Sequence, residues 1–224
     1  MKVLEVTVPM SGSPHDTLVR VRRTRGFTMV EIAIVLTIFL IVCGIGFMTL
    51  QPAWRSVRVN NAYNLTLMTL KQARQWAIAN RKTYRVTFNP TGTPANTGRI
   101  TVERMDAGTV GPVVRQVDLP PDIQFQTITG IPNTSSTTPD KMGIGGMAIE
   151  FDIGVTGGVN NQIYFYPDGS ARDINNNINN GVVYLARSGE LYSSRAITLF
   201  GAAGRVRGWR LETVPPGQPA WSPQ

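Results

Sequence analysis

The sequence predicts an α+β fold in which one long N-terminal helix is followed by an antiparallel β domain. Three observations carry that expectation. Residues 27–50 form an apolar run, and a helix-period pattern follows it to about residue 82. From Thr83 the period drops to two and β-branched residues dominate. Clusters of Gly, Pro, Asn and Ser then punctuate the chain at short intervals, as turns between strands require.

The apolar run contains only Thr28, Glu31, Thr37 and Thr49 as clearly polar members. A helix needs about 20 apolar residues to cross the hydrocarbon core, so 27–50 is long enough to span a membrane. An acidic residue at mid-span costs roughly 2.5–3.5 kcal/mol on insertion scales. Glu31 lies near one end, where the cost is lower, but a carboxylate there still calls for a partner. Arg20, Arg22, Arg23 and Arg25 precede the run and hold that end on the cytoplasmic side. No small-residue cleavage site follows the run, which sets it apart from a secretory signal. A cut between Gly26 and Phe27 creates a cationic amine one helical turn from Glu31. That amine, or the one on a neighbouring copy, can neutralise the carboxylate, and such a pair fixes register more than it adds stability.

Pro52 follows the span and is expected to bend the helix there. Beyond it Ala62, Leu65, Thr69, Ala73 and Trp76 recur at three- and four-residue steps, with Leu70 and Ala77 beside them. They form a stripe facing a core, with Arg55, Arg58, Lys71, Arg74, Arg81 and Lys82 mostly off it. Strands are expected at 84–88, 99–105, 113–119, 123–128, 147–153, 162–166, 181–186, 195–200 and 205–211. Segments 154–161 and 173–181, rich in Asn and Gly, read as exposed loops. The Pro-rich end, 213–224, reads as a loose tail.

Composition narrows the function classes. The 224 residues carry a formal charge of +8. Loss of residues 1–26 removes Lys2, Arg20, Arg22, Arg23 and Arg25 against Glu5 and Asp16, which lowers the charge to +5. The remaining excess is too moderate to argue for nucleic acid by itself. The single cysteine, Cys43, lies inside the apolar run, and the single histidine, His15, precedes it. These counts exclude an intramolecular disulfide, a Cys-based metal site and a Cys/His catalytic pair. No nucleophile–base arrangement is visible, and neither an enzyme nor a cofactor is expected.

One local pattern suggests binding. In GRVRGWR (204–210), Arg205 and Arg207 are two apart on a predicted strand and so share a face. Arg210 has the other parity and reaches them only at a twisted edge. Gly204 and Gly208 are expected to leave the backbone uncrowded. Paired guanidinium groups suit phosphate oxygens, although a solvated strand face explains the same residues. Other candidates are weaker. PDGS (167–170) reads as a hairpin turn more readily than as a calcium loop. Glu150 and Asp152 share a parity and could chelate a cation, but solvated carboxylates are the simpler reading. GIGGM (143–147) has no helix or lysine behind it to hold phosphate. Trp54 and Trp76 are expected to pack.

The string Gly26-Phe27-Thr28-Met29-Val30-Glu31, followed by an apolar helix, resembles the class III signal of type IV pilins and type II secretion pseudopilins. The resemblance implies that a prepilin peptidase cuts after Gly26 and N-methylates Phe27, and that Glu31 guides the subunit into a filament. Met1 and Met10 are both candidate starts of the leader. IYFYPDGSA and RAITLFGAAGRVRGWRL (195–211) further resemble the GspH/FimT branch of minor pilins and pseudopilins. The likeness runs over most of 26–212, strongest at 26–50 and 163–211. It implies a helix packed against two β-sheets. It also implies an inner-membrane anchor with a periplasmic C-terminal domain, later displayed on a filament. Other pilins or pseudopilins, the prepilin peptidase and the assembly platform of the inner membrane are the implied partners. Gly-Arg-x-Arg is similar to the motif through which FimT-like pilins bind DNA during uptake, which would make Arg205, Arg207 and Arg210 DNA contacts. A membrane-anchored module that never polymerises is the remaining alternative.

Overall fold

The computed structural model describes residues 26–90, 98–106, 108–143, 146–153, 161–215 and 217–224. The chain divides into two compact units, Met1–Gln51 and Pro52–Gln224. The helix α1 runs Met29–Asn80 and contributes to both.

In the first unit, Met29–Phe47 has a mean hydropathy of 2.6 and none of it is buried. Ile32, Val35, Leu36, Phe39 and Ile45 all stand exposed. A helix apolar on every side requires an environment of lipid or other apolar helices.

In the second unit the helix buries Val59, Tyr63, Thr66, Leu70, Ala73 and Ala77, a run of alternating four- and three-residue steps. Leu65 and Trp76, placed in the stripe by the sequence pattern, are only half-buried. The stripe is therefore rotated toward Tyr63 and Thr66. Thr66 and Thr69 enter it because each hydroxyl donates to the carbonyl four residues earlier, on Ala62 and Leu65. That bond removes the cost of burying a hydroxyl. The small side chains at 62, 66, 69, 73 and 77 let the helix approach the sheets closely.

Eleven strands follow among the described residues: β1 Tyr84–Asn89, β2 Arg99–Asp106, β3 Thr109–Asp118, β4 Ile123–Phe125, β5 Ile149–Ile153, β6 Gln162–Phe165, β7 Ala171–Arg172, β8 Asn180–Arg187, β9 Arg195–Phe200, β10 Arg205–Val214 and β11 Gln218–Pro223. They form two sheets, β3-β2-β1-β6-β7 and β11-β10-β9-β8-β4, with β5 also pairing β8. Every pairing is antiparallel. The α+β class with a helix on two antiparallel sheets is what the sequence led us to expect.

One core joins α1 to both sheets, through Val86, Phe88, Ile100 and Phe165 on one and Phe151, Leu185, Ile197 and Leu199 on the other. A second cluster lies on the opposite face of the larger sheet. There Ile131, Val182, Tyr184, Ala196 and Leu211 pack with Trp209 and Trp221. Strand β8 is covered on both faces, which accounts for its unbroken GVVYLA run.

Two expectations fail here. The Pro-rich end is not a loose tail: β11 pairs β10 from Trp209↔Pro223 to Val214↔Gln218. Its prolines sit on an edge strand, where a missing N–H is tolerated. The 173–181 segment is not exposed throughout, because Asp173 and Asn179 are buried at 2% and 0% exposure. Residues 154–160, the other expected loop, lie outside the described residues.

Candidate functional site

The N-terminal candidates are Gly26, Phe27 and Glu31. Gly26 is exposed, with nothing within 4 Å of where a Cβ would stand. Phe27 is 78% exposed. Both sides of this peptide bond are thus exposed among the described residues. The helix begins two residues later with a reciprocal cap. The Glu31 amide donates to Thr28 Oγ1 at 3.2 Å, and the Thr28 amide donates to Glu31 Oε2 at 3.5 Å. This is the capping box, satisfying two donors that the first turn leaves without partners. Sequence reading missed this role, although the signal, Thr-x-x-Glu before an apolar run, was present. Phe27 and Glu31 line one shallow groove with Ile32, Val35, Leu36 and Phe39. The carboxylate is thus the one acidic group in an otherwise apolar lining. The arginines expected to flank the span lie outside the described residues.

The arginine motif occupies the turn and strand after β9. Arg205 and Arg207 are both exposed on β10 and share a face, as their spacing predicts. Their environments differ. Arg207 Nη1 lies 2.9 Å from Asp140 Oδ1. Asp140 also accepts from the Thr198 hydroxyl, which in turn accepts from Trp209 Nε1 at 3.1 Å. The Arg207 guanidinium stands 5.9 Å from the Trp209 ring centre. Arg207 is therefore held in a network that fastens the 3-10 turn Pro139–Lys141 onto the outer face of the sheet. Arg205 lies over the Phe200 ring at 5.9 Å. Arg210 does not join them. It shares the parity of Val206 and Gly208, faces the α1 side, and borders a cleft with Arg55 and Arg195.

The two glycines of the motif are crowded, contrary to the sequence expectation. A Cβ on Gly208 would lie 1.5 Å from the Tyr63 hydroxyl. A Cβ on Gly204, whose φ is +56°, would lie 2.0 Å from the Gly169 carbonyl oxygen. They are required by packing on α1 and on the β6–β7 turn.

PDGS is that β6–β7 hairpin turn. Gly169 donates to the Tyr166 carbonyl, and Asp168 Oδ1 accepts from the Ser170 amide and hydroxyl at 2.8 and 2.6 Å. Arg172 Nη2 reaches Asp168 Oδ2 at 2.6 Å. These bonds hold the Asp168 carboxyl below the usual carboxylate range, the Ser170 hydroxyl contributing most. The carboxylate is committed to its own turn. Trp76 packs against Tyr84 at 6.0 Å between ring centres, but Trp54 is 63% exposed and does not pack. Part of GIGGM, at 144–145, lies outside the described residues. Among the described residues, no group of three or more His, Cys, Asp or Glu could hold a metal ion.

No curated protein and no solved structure matches the chain. Residues 21–47, which contain the open Gly26–Phe27 junction, the Thr28–Glu31 cap and the apolar helix, match the prokaryotic N-terminal methylation motif, a type IV pilin-like prepilin signal.

Proposed function

We propose that the chain is a minor pilin or pseudopilin of the GspH/FimT type. The leader 1–26 is removed between Gly26 and Phe27, and Phe27 is N-methylated. The subunit first sits in the inner membrane through 27–50 with its β domain in the periplasm. It then enters a pilus or secretion filament through that helix. Assembly uses Glu31, whose carboxylate meets the Phe27 amine of a neighbouring subunit within the apolar bundle. The prepilin peptidase, other pilin-like subunits and the inner-membrane assembly platform are its partners.

One observation carries this reading. The methylation motif at 21–47 coincides with a helix, Met29–Phe47, of which nothing is buried. An apolar helix open all round suits both lipid and a helical bundle, the two environments a filament subunit occupies in turn. Mass spectrometry of the protein co-expressed with a prepilin peptidase tests it. The expected product begins at a methylated Phe27. A chain that keeps its basic leader under those conditions would overturn the proposal.

The arrangement of the arginine motif favours structure over DNA contact. Arg207 is paired with Asp140 and Arg210 faces the other side of the strand, so the set expected to grip phosphates is divided. Of the three, Arg205 keeps the position expected of a DNA contact, exposed and without an acidic partner among the described residues.

A further inference from the structure

The cleft bordered by Arg210 presents a charge problem that the fold alone does not solve. Arg195 and Arg210 stand directly opposite each other on β9 and β10. Like charges in that relation repel. Arg195 is 2% exposed. Its Nη1 donates to the carbonyls of Tyr192 and Ser194 at 3.3 and 3.0 Å, and its Nη2 to Asn60 Oδ1 at 3.1 Å. Its Nε, also buried, has no partner among the described residues. None of these contacts is a carboxylate. Burial, and then Arg210, push the Arg195 pKa down to about 10, against weaker opposing contributions from Tyr63 and, at longer range, Glu212. A buried guanidinium beside a second one, with neutral partners only, is costly unless an anion completes it.

The lining supplies the rest of such a site. Arg55, Arg195 and Arg210 contribute three positive charges, against one negative from Glu190. Glu190 is already engaged, with Arg187 Nη1 at 2.5 Å and Arg55 Nη1 at 3.5 Å. Arg210 is held only loosely by Glu212, at 3.8 Å. Arg55 and Arg210 are each about half-exposed, so both can turn toward a guest. The excess of two positive charges matches a phosphate group, which carries roughly −1.5 to −2 near neutral pH.

We propose that this cleft is an oxyanion site that takes a phosphate group, with Arg55 and Arg210 binding it directly and Arg195 providing the buried positive charge beneath. The site lies wholly within Pro52–Gln224 and requires neither processing nor assembly of the chain. Free phosphate and an anionic lipid headgroup present the same chemistry to it.

Full-length protein in zwitterionic detergent distinguishes the sources. Thermal unfolding and calorimetric titration are carried out with sodium phosphate against sodium chloride at equal ionic strength. A parallel arm uses phosphate-free micelles doped with an anionic phospholipid. The expected result is a saturable stabilisation by phosphate or by the doped micelles that chloride does not reproduce. Arg210→Gln and Arg55→Gln should each weaken it about tenfold, the scale of one charge-assisted hydrogen bond. Both replace half-exposed residues, and circular dichroism checks that the variants fold. Lys71→Gln, at an exposed position of α1 outside the cleft lining, should bind as the wild type does. A response to phosphate alone makes a free oxyanion the ligand, and a response to lipid alone makes it a headgroup. Equal behaviour in phosphate, lipid and chloride would overturn the site. So would unchanged binding in both cleft variants, or a loss in Lys71→Gln as large as theirs.

Discussion

Thr28 and Glu31 cap each other across the first turn of α1, with amide-to-side-chain bonds of 3.2 and 3.5 Å. Glu31 therefore has a partner within its own first turn. That bears on how its substitution is to be read, because Glu31→Ala removes a cap and a charge together.

Three variants separate the two roles. Glu31→Gln keeps an acceptor at the capping position but loses the charge. Thr28→Ala keeps the charge and loses half the cap, at a cost of about 1 kcal/mol at the helix terminus. If the carboxylate guides assembly by meeting an amine, Glu31→Gln and Glu31→Ala are both cleaved normally and both fail to enter filaments, while Thr28→Ala assembles. Immunoblots of sheared filament fractions, with leader removal followed by mass, give the answer. Assembly of Glu31→Gln at wild-type levels would reduce Glu31 to a helix cap.

Gly208 is fixed by Tyr63. Alanine there places a methyl group 1.5 Å from the Tyr63 hydroxyl and 2.4 Å from the ring carbon that bears it, so the rigid ring must move. Overpacking of this kind costs about 1–3 kcal/mol. Tyr63→Phe removes the nearest atom, so Tyr63→Phe/Gly208→Ala should lose less than the sum of the two single changes. Thermal or denaturant unfolding of the four proteins measures the coupling. Additive losses would show that the two residues do not meet as described.

Much of this architecture is legible in the sequence because it rests on periodicity. The switch from helical to alternating spacing at Thr83 marks where β1 begins, and the nine expected strands all have counterparts. What escaped depends on contacts between distant segments. Strand β7 is two residues long and is held by pairing with β6 on one side and by the Arg172–Ile178 bridge on the other. The pattern of β11 is masked by Pro219 and Pro223, which an edge position tolerates. Gly204 and Gly208 read as loose backbone because nothing local reveals Gly169 or Tyr63 pressed against them. At the candidate site, spacing correctly gave Arg205 and Arg207 a common face, but not Asp140, which lies 67 positions from Arg207 in the chain. The Thr-x-x-Glu cap is legible in the sequence, but the same carboxylate at the head of an apolar span equally suits a longer-range partner.

The pairing of β10 with β11 makes the C-terminal residues part of the fold. Trp221 packs on Tyr184, 5.8 Å between ring centres, and covers the second cluster with Leu211. Trp221→Ala should cost roughly 1.5–3 kcal/mol, in line with loss of one large, partly buried side chain. A chain ending at residue 215 should lose at least as much and bind a hydrophobic dye through the uncovered face. Unfolding midpoints unchanged by either alteration would return 218–224 to the status of a tail.

The PDGS turn should loosen in acid. Asp168 is held below the usual carboxylate range by the Ser170 hydroxyl and amide and by Arg172. A carboxyl lowered in the folded state contributes stability that is fully present above the unfolded value, about 3.9. That contribution is lost as pH falls through the lowered, folded value. The side chain is 53% exposed, so the effect is small, below about 1 kcal/mol. Asp168→Asn should remove this part of the acid limb, and the difference between the two stability curves should flatten at low pH. The effect should also reach the next turn, because the Gly169 carbonyl accepts from Arg74 Nε at 3.1 Å and is packed against Gly204. Amide resonances of Ser170 and Gly204 should therefore titrate together in the wild type and neither should do so in Asp168→Asn. A Ser170 amide that titrates identically in both proteins would show that Asp168 does not hold the turn.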